Sequence, residues 1–339
     1  MTVATKADQM FPVKLDKNMK KQGLMNDVVI TINPKLWKFS GDYACAMTAF
    51  YDMKAKCRSW IEDRKWLEQD WRKIDSVVEL FDVATNTAGL VPDAVRIRYQ
   101  EVANDAISKF ASSPLRTTFV TRSNTLWLGF DNIIGALCQG WLNDSAVDFC
   151  LEAIVGSIGQ SLMLSTLLGV VGWPTSPKTQ ILYTKFIVHP VSLSANHWGL
   201  ITVRLYCDVA TKTLQVQVFM YEPLIDEEYQ EQMIASGKEF CNTRERIIGY
   251  QVTISPVERI KTPQQPDAIS CGVLVIAQAY SYLTESMRLQ EHGVSKRDVG
   301  VMRLRMIWMV VSHSKERSNS VYDADKANRI RELLQKQLG

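Results

Sequence analysis

Cys271 has the residue type and the surroundings of a catalytic nucleophile. It stands in the run Gln264-Gln-Pro-Asp-Ala-Ile-Ser-Cys271-Gly-Val-Leu-Val-Ile-Ala-Gln-Ala-Tyr280. Ser270 is an N-cap residue type and the residues after Cys271 are apolar, so a buried helix is expected from Cys271 to Leu283, with the thiol in its first turn. There the macrodipole and the free amide hydrogens favour thiolate over thiol, and a nearby imidazole can take the proton. A lone cysteine is more often a buried structural residue; its place at a helix start sets Cys271 apart. An acyl-transfer reaction also needs a donor for the oxyanion. The side-chain amide of Gln265, on a loop held by Pro266, can supply it; Gln264 is the rival, and periodicity does not choose between them. Gly272 leaves room for a substrate to approach.

The base is expected upstream. Trp198-Gly-Leu-Ile-Thr-Val-Arg-Leu-Tyr206, a polar turn from Cys207 to Lys212, and Leu214-Gln-Val-Gln-Val-Phe-Met-Tyr221 read as an antiparallel hairpin. With the turn centred between Val209 and Ala210, His197 lies opposite Glu222. Directly opposed side chains have Cβ atoms about 5 Å apart, the separation at which a carboxylate orients an imidazole. Asp208 fails the same test, because it lies at the turn, roughly 36 Å from His197 at about 3.3 Å per residue. Pro223 holds Glu222 extended and ends the pairing.

The chain that must position these residues has 339 of them, enough for a catalytic domain of about 200 residues and an accessory region. Hydrophobic residues make up 46% and charged residues 22%, which fits neither wholesale disorder nor a fibrous class. With 39 basic and 36 acidic residues the formal charge is +3, so there is no electrostatic case for a nucleic-acid partner. The basic cluster from Lys14 to Lys21 reads as a solvated terminus. The seven cysteines include no Cys-x-x-Cys pair. Neither a disulfide framework nor a metal site is expected, and a reducing intracellular compartment, nucleus or cytoplasm, is the simplest setting. The first 30 residues lack a signal-peptide run. Ala153 to Trp173 carries no charge, but its serines, Gln160, Thr166 and glycines mark it as core and not as a membrane span.

Apolar residues at helical spacing from Tyr43 to Phe81, with Trp60, Trp66 and Trp71 among them, predict one or two amphipathic helices. A turn-rich segment through Gly89 and Pro92 precedes a further helix, Asp93 to Phe110. Beyond Ser112-Ser-Pro114 the pattern is mixed. A helix is expected around Ser145 to Ser165, strands at Gln180 to Val188, His197 to Tyr206 and Leu214 to Tyr221, and a last helix over Val301 to Val311. The division is a helical N-terminal accessory region at 1–115, a catalytic domain at 116–315 and a C-terminal helical tail at 316–339.

These residues resemble the ubiquitin-like-protein-specific cysteine protease family, whose fold is shared with the adenovirus protease. His197-Trp198 looks like the family's His-Trp at a strand start. Glu222 falls where its acid follows the next strand, and Gln265 stands six residues before Cys271-Gly272, as its oxyanion glutamine does. The order His, acid, Gln, Cys agrees, whereas papain-like enzymes place Cys before His. Gly140-Trp141-Leu142-Asn143-Asp144 resembles the family's Trp-Leu-Asn-Asp segment, which shapes the channel for a substrate's C-terminal glycines; Asn143 or Asp144 would equally cap an ordinary helix. The likeness covers Asn124 to Val311. It departs at Asp267-Ala268 and Ser270, where the family has Asn-Gly and Asp, and at Glu222, where Asp is commoner.

The resemblance implies an α+β fold with a central mixed sheet and flanking helices. It implies a cofactor-free thiol peptidase or isopeptidase acting after the small C-terminal residues of a ubiquitin-like modifier, or at a small-residue site in a polyprotein. Trp141, Leu142, Asn143, Asp144, Trp198 and Gly272 would contact the substrate. An acetyltransferase using the same Cys-His-Glu arrangement, or an inactive modifier-binding module, are the alternatives.

Overall fold

The computed structural model describes residues 27–32, 35–70, 93–113, 117–137, 140–168, 183–244, 250–285 and 293–317. The basic cluster at 14–21, Trp71, the turn at Gly89 and Pro92, and the tail beyond 317 lie outside them. The chain forms two compact units divided after Ser59. In the first, β1 (Asp27–Ile32) and β2 (Lys35–Ser40) make an antiparallel hairpin with Asp27 opposite Ser40. Its β-branched Val28, Val29, Ile30 and Ile32 suit a strand, a signal the helical pattern that follows overshadowed. Helix α1 (Gly41–Lys65) begins directly after it.

The second unit holds a six-stranded mixed sheet made of β5 (Ser161–Met163), β6 (Phe186–Leu193), β7 (His197–Asp208), β8 (Thr213–Tyr221), β9 (Gln251–Ile254) and β10 (Glu258–Ile260). β6, β7 and β8 run antiparallel to one another. β5 joins β6 in parallel, and β9 and β10 lie parallel to the first and last residues of β8. A separate three-stranded sheet pairs β3 (Thr118–Val120) with β4 (Trp127–Gly129) and with β11 (Lys315–Arg317).

The central sheet is apolar on both faces, and the period of two along each strand assigns each side. Phe186, Val188, Leu200, Phe219 and Tyr221 pack with α3 (Asp144–Ile158), α5 (Cys271–Leu283) and α6 (Lys296–His313). Ile187, Ile201, Val203, Val218 and Met220 pack on the other side, with Met233 of α4 (Glu227–Arg244). His197 has the parity of Ile201 and Glu222 that of Met220, so both belong to the α4 side. The helix α2 (Asp93–Ser112) packs on α6.

The first helix of the catalytic region is shorter than the Ser145 to Ser165 expected. It stops at Ile158 because Gly159 takes φ +75° as its C-cap, and β5 follows. The uncharged stretch from Ala153 is thus split between a helix end, a short strand and a turn, with 169–173 outside the described residues. Among the described residues no helix is long and apolar enough to cross a membrane. β6 begins at Phe186, later than the expected strand; α6 begins at Lys296, five residues before it was expected, behind a capping box of Ser295 and Asp298.

The hairpin register also differs. Leu200 faces Tyr221 and Asp208 faces Thr213, a shift of two residues from the pairing that set His197 opposite Glu222. Asp208 is the cause: its Oδ1 accepts from the amides of Ala210 (2.9 Å) and Thr211 (3.3 Å), and Lys212 takes φ +52°. The turn therefore takes four residues, 209–212. A two-residue shift keeps every side chain on its face, where a shift of one would have moved it to the other.

Candidate active site

The site lies at the end of the central sheet where β7 begins and β8 ends. Pairing stops at Leu200 and Tyr221, so Glu222 stands just past the ladder and diagonal to His197. The two still meet: His197 Nε2 lies 2.5 Å from Glu222 Oε1, with both side chains 4% exposed. Backbone amides hold the carboxylate in turn. Leu224 N donates to Oε1 (2.7 Å) and Asp226 N to Oε2 (2.8 Å). These bonds follow from Pro223, which turns the chain so that the next amides point back at the side chain it follows.

Cys271 reaches the ring from the opposite face of the sheet. It is the first residue of α5 and is 2% exposed. Nε2 is committed to Glu222, so Nδ1 is the nitrogen left for the thiol. Burial pulls the His197 pKa down, but hydrogen bonds with Cys271 and Glu222, and the negative charge each can carry, outweigh it and raise the value to about 9. The raised value favours the protonated imidazole at neutral pH. Burial pushes the pKa of His189, on β6, down to about 4.

Ser270 occupies the N-cap position of α5, but its side chain makes no cap hydrogen bond and its buried Oγ has no partner. Ser270 therefore does not occupy the first-turn amides of α5. The glutamine loop is clipped to the acid. Tyr221 Oη donates to Pro263 O (2.6 Å) and Gln265 N to Pro223 O (3.0 Å). Gln265 is half-buried and Gln264 exposed. The Gln265 side chain donates from Nε2 to Asp267 O (2.7 Å), and its buried Oε1 is unpaired.

The Trp141 to Asp144 segment closes the opposite side. Trp141, about half exposed, donates from Nε1 to Ala268 O (2.9 Å), on the loop before the cysteine. Trp198 donates from Nε1 to Leu142 O (2.9 Å). Asn143 is the N-cap of α3, its side chain accepting from Ala146 N (2.9 Å), and Asp144 opens the helix. A Cβ on Gly272 would stand 3.1 Å from both Leu142 Cβ and Trp198 Cδ1. The glycine lets those two side chains close against the helix start.

Two contributors carried no sequence signal that was recognised. Arg303, 3% exposed on α6, donates to Ala136 O (2.9 Å), Leu137 O (3.1 Å) and Ile269 O (3.4 Å), tying the residues before Trp141 to those before Cys271. An arginine inside the apolar run Val301 to Val311 was the available clue, since a buried guanidinium needs acceptors. Tyr229 stacks on His197; its helix was not anticipated. Among the described residues no group of three His, Cys, Asp or Glu is placed to hold a metal ion.

Residues 167–317 match the family model described as the Ulp1 protease family, C-terminal catalytic domain. No curated protein matches the chain. Among solved structures, the C-terminal Ulp1 protease domain in complex with Smt3, the yeast ortholog of SUMO, is 17% identical. That match covers 68% of this chain and 99% of the other, with a TM-score of 0.46. A de-sumoylating protease is 16% identical over 64% of this chain and 97% of its own, with a TM-score of 0.39. The Xanthomonas campestris effector XopD bound to ubiquitin is 14% identical over 49% and 90%, with a TM-score of 0.33.

Proposed function

We propose that this chain, a cysteine protease whose residues 167–317 match the catalytic domain of the Ulp1 protease family, hydrolyses the peptide or isopeptide bond after the C-terminal glycines of a SUMO-like modifier. The observation that carries this reading is the placement of His197 between the Glu222 carboxylate and the thiol at the start of α5.

In this reading the Cys271 sulfur attacks the substrate carbonyl after passing its proton to His197. The carbonyl oxygen becomes an oxyanion held by the Cys271 backbone N–H and by Gln265 Nε2, released from Asp267 O by rotation of the amide. Collapse expels the amine, protonated by the His197 imidazolium, and leaves a thioester on Cys271. His197 then deprotonates water, which attacks the thioester, restores the thiol and frees a carboxylate. Glu222 keeps the ring in one orientation and balances its charge throughout.

The choice of a glycine terminus rests on access. Cys271 is 2% exposed, and Leu142 and Trp198 crowd the glycine beside it. A chain without Cβ atoms passes such a slot at the least steric cost. The modifier binds as a protein partner, in the nucleus or cytoplasm.

A panel of ubiquitin-like modifiers whose C-terminal glycine bears a thiol-reactive electrophile tests the proposal. At least one SUMO-type probe should label the wild type, and none should label Cys271→Ala. Labelling by no modifier probe would overturn the substrate assignment.

A further inference from the structure

We infer that Tyr229 is a positioning residue for the base, its ring clamping the face of the His197 imidazole while Glu222 holds the edge. The two rings are 4.6 Å apart, centroid to centroid, and 17° from parallel. A protonated imidazole over the negative face of a phenol ring is stabilised electrostatically, and more so where water is excluded; His197 is 4% exposed. The stack also denies the ring its other rotamers.

The position of Tyr229 is built and not incidental. Asp226 starts α4, its Oδ1 accepting from the amides of Glu228 (2.9 Å) and Tyr229 (3.2 Å). The amide of Asp226 itself donates to Glu222 Oε2. One carboxylate therefore orients the histidine directly, through Oε1, and sets the helix start that carries the stacking ring, through Oε2. The helix is seated on the sheet at two glycines. A Cβ on Gly199 would meet Met233 Sδ at 2.5 Å, and one on Gly237 would meet Met220 Cε at 2.2 Å. Both contacts let α4 approach closely enough for Tyr229 to reach the start of β7, where its Oη donates to Asn196 Oδ1 (3.3 Å).

The titratable groups that face the imidazole are Glu222 from the end of β8, Cys271 from α5 and Tyr229 from α4. The inference rests on reading His197 as the base, so its test uses no modifier. The His197 ring is titrated by NMR in the full chain, and the pH dependence of Cys271 alkylation by iodoacetamide is measured alongside. Tyr229→Phe keeps the stack and should superpose on the wild type in both. Tyr229→Leu keeps apolar bulk over the ring but removes the π face. Its His197 midpoint should fall by about half a pH unit, with slower alkylation at neutral pH. Tyr229→Met replaces it if the leucine variant does not fold. A leucine or methionine variant that titrates as the wild type does, or a phenylalanine variant that shifts equally, would overturn the clamp. A shift in Tyr229→Leu without labelling of the wild type by any modifier probe would uphold the clamp while the substrate assignment fell.

Discussion

His197 Nε2 and Glu222 Oε1 lie 2.5 Å apart, although the strands that carry these residues stop pairing at Leu200 and Tyr221. The contact is therefore made beyond the ladder, by a carboxylate whose two oxygens are each held by a backbone amide. Glu222→Gln tests what this arrangement does. The amide retains one acceptor oxygen for three donors and loses the charge that balances an imidazolium. A fall in kcat of roughly 10⁴-fold is expected, by analogy with the loss seen when a triad acid becomes an amide. Steady-state kinetics on a labelled modifier substrate, with circular dichroism to verify folding, measure it. Activity within tenfold of wild type would show that Glu222 is structural.

Stability should depend on pH in opposite senses on the two sides of neutrality. His197 has a folded pKa raised from 6.5 to about 9, so the native state binds its proton more tightly than the unfolded chain. That contribution is fully present below pH 6.5 and is lost as pH rises towards 9. His189 has a folded pKa lowered from 6.5 to about 4, so its contribution is present above pH 6.5 and is lost as pH falls towards 4. Urea unfolding at intervals from pH 4 to 9.5 should show both declines. Replacing Glu222 with Gln should flatten the alkaline one and leave the acid one unchanged.

Gly272→Ala places a methyl group 3.1 Å from Leu142 and Trp198. Overpacking of this kind costs about 1 to 3 kcal/mol. Relief requires Leu142 or Trp198 to move, and both lie against the residue next to Cys271. The expected outcome is a drop of a few degrees in Tm together with at least a tenfold loss of kcat/KM, read by thermal melts and kinetics on the same preparation. Full activity at unchanged Tm would mean that the wall of the slot yields freely.

The two glutamines should separate cleanly. Gln265 is half-buried, with its amide two residues from the carbonyl it engages, and Gln264 is exposed. Gln265→Ala should lower kcat by about 10²-fold, the usual cost of one oxyanion donor. Gln264→Ala should fall within twofold of wild type. Comparison of kcat for the two variants decides it, and the reverse pattern would transfer the role to Gln264.

Much of the fold was legible because it depends on local patterns. The apolar run after Ser270 specified the helix Cys271–Leu283, and the valine alternation around Gln215 and Gln217 specified β8. The turn was not legible in the same detail. Asp208 uses its side chain to close a four-residue connection, and nothing in the hydrophobic pattern distinguishes that from a shorter turn. Helix α4 was missed because its sequence, rich in Glu and Gln, shows a weak apolar stripe; Met233 and the two glycine contacts supply its seat. With it went Tyr229. Arg303 was missed because a basic residue in a helix is ordinarily solvated, and only packing reveals three carbonyls on two segments converging on it.

What the amino-acid sequence determined alone was the face on which each strand residue lies and the element that carries Cys271, since side-chain parity and helix periodicity are set by covalent geometry. The tertiary structure alone decided that His197 and Glu222 meet past the end of their ladder. It also decided that the start of α5 reaches them from the other face of the sheet, and that an aromatic ring closes over the imidazole. Those relationships join segments far apart in the chain, and only the burial of the two sheet faces brings them together.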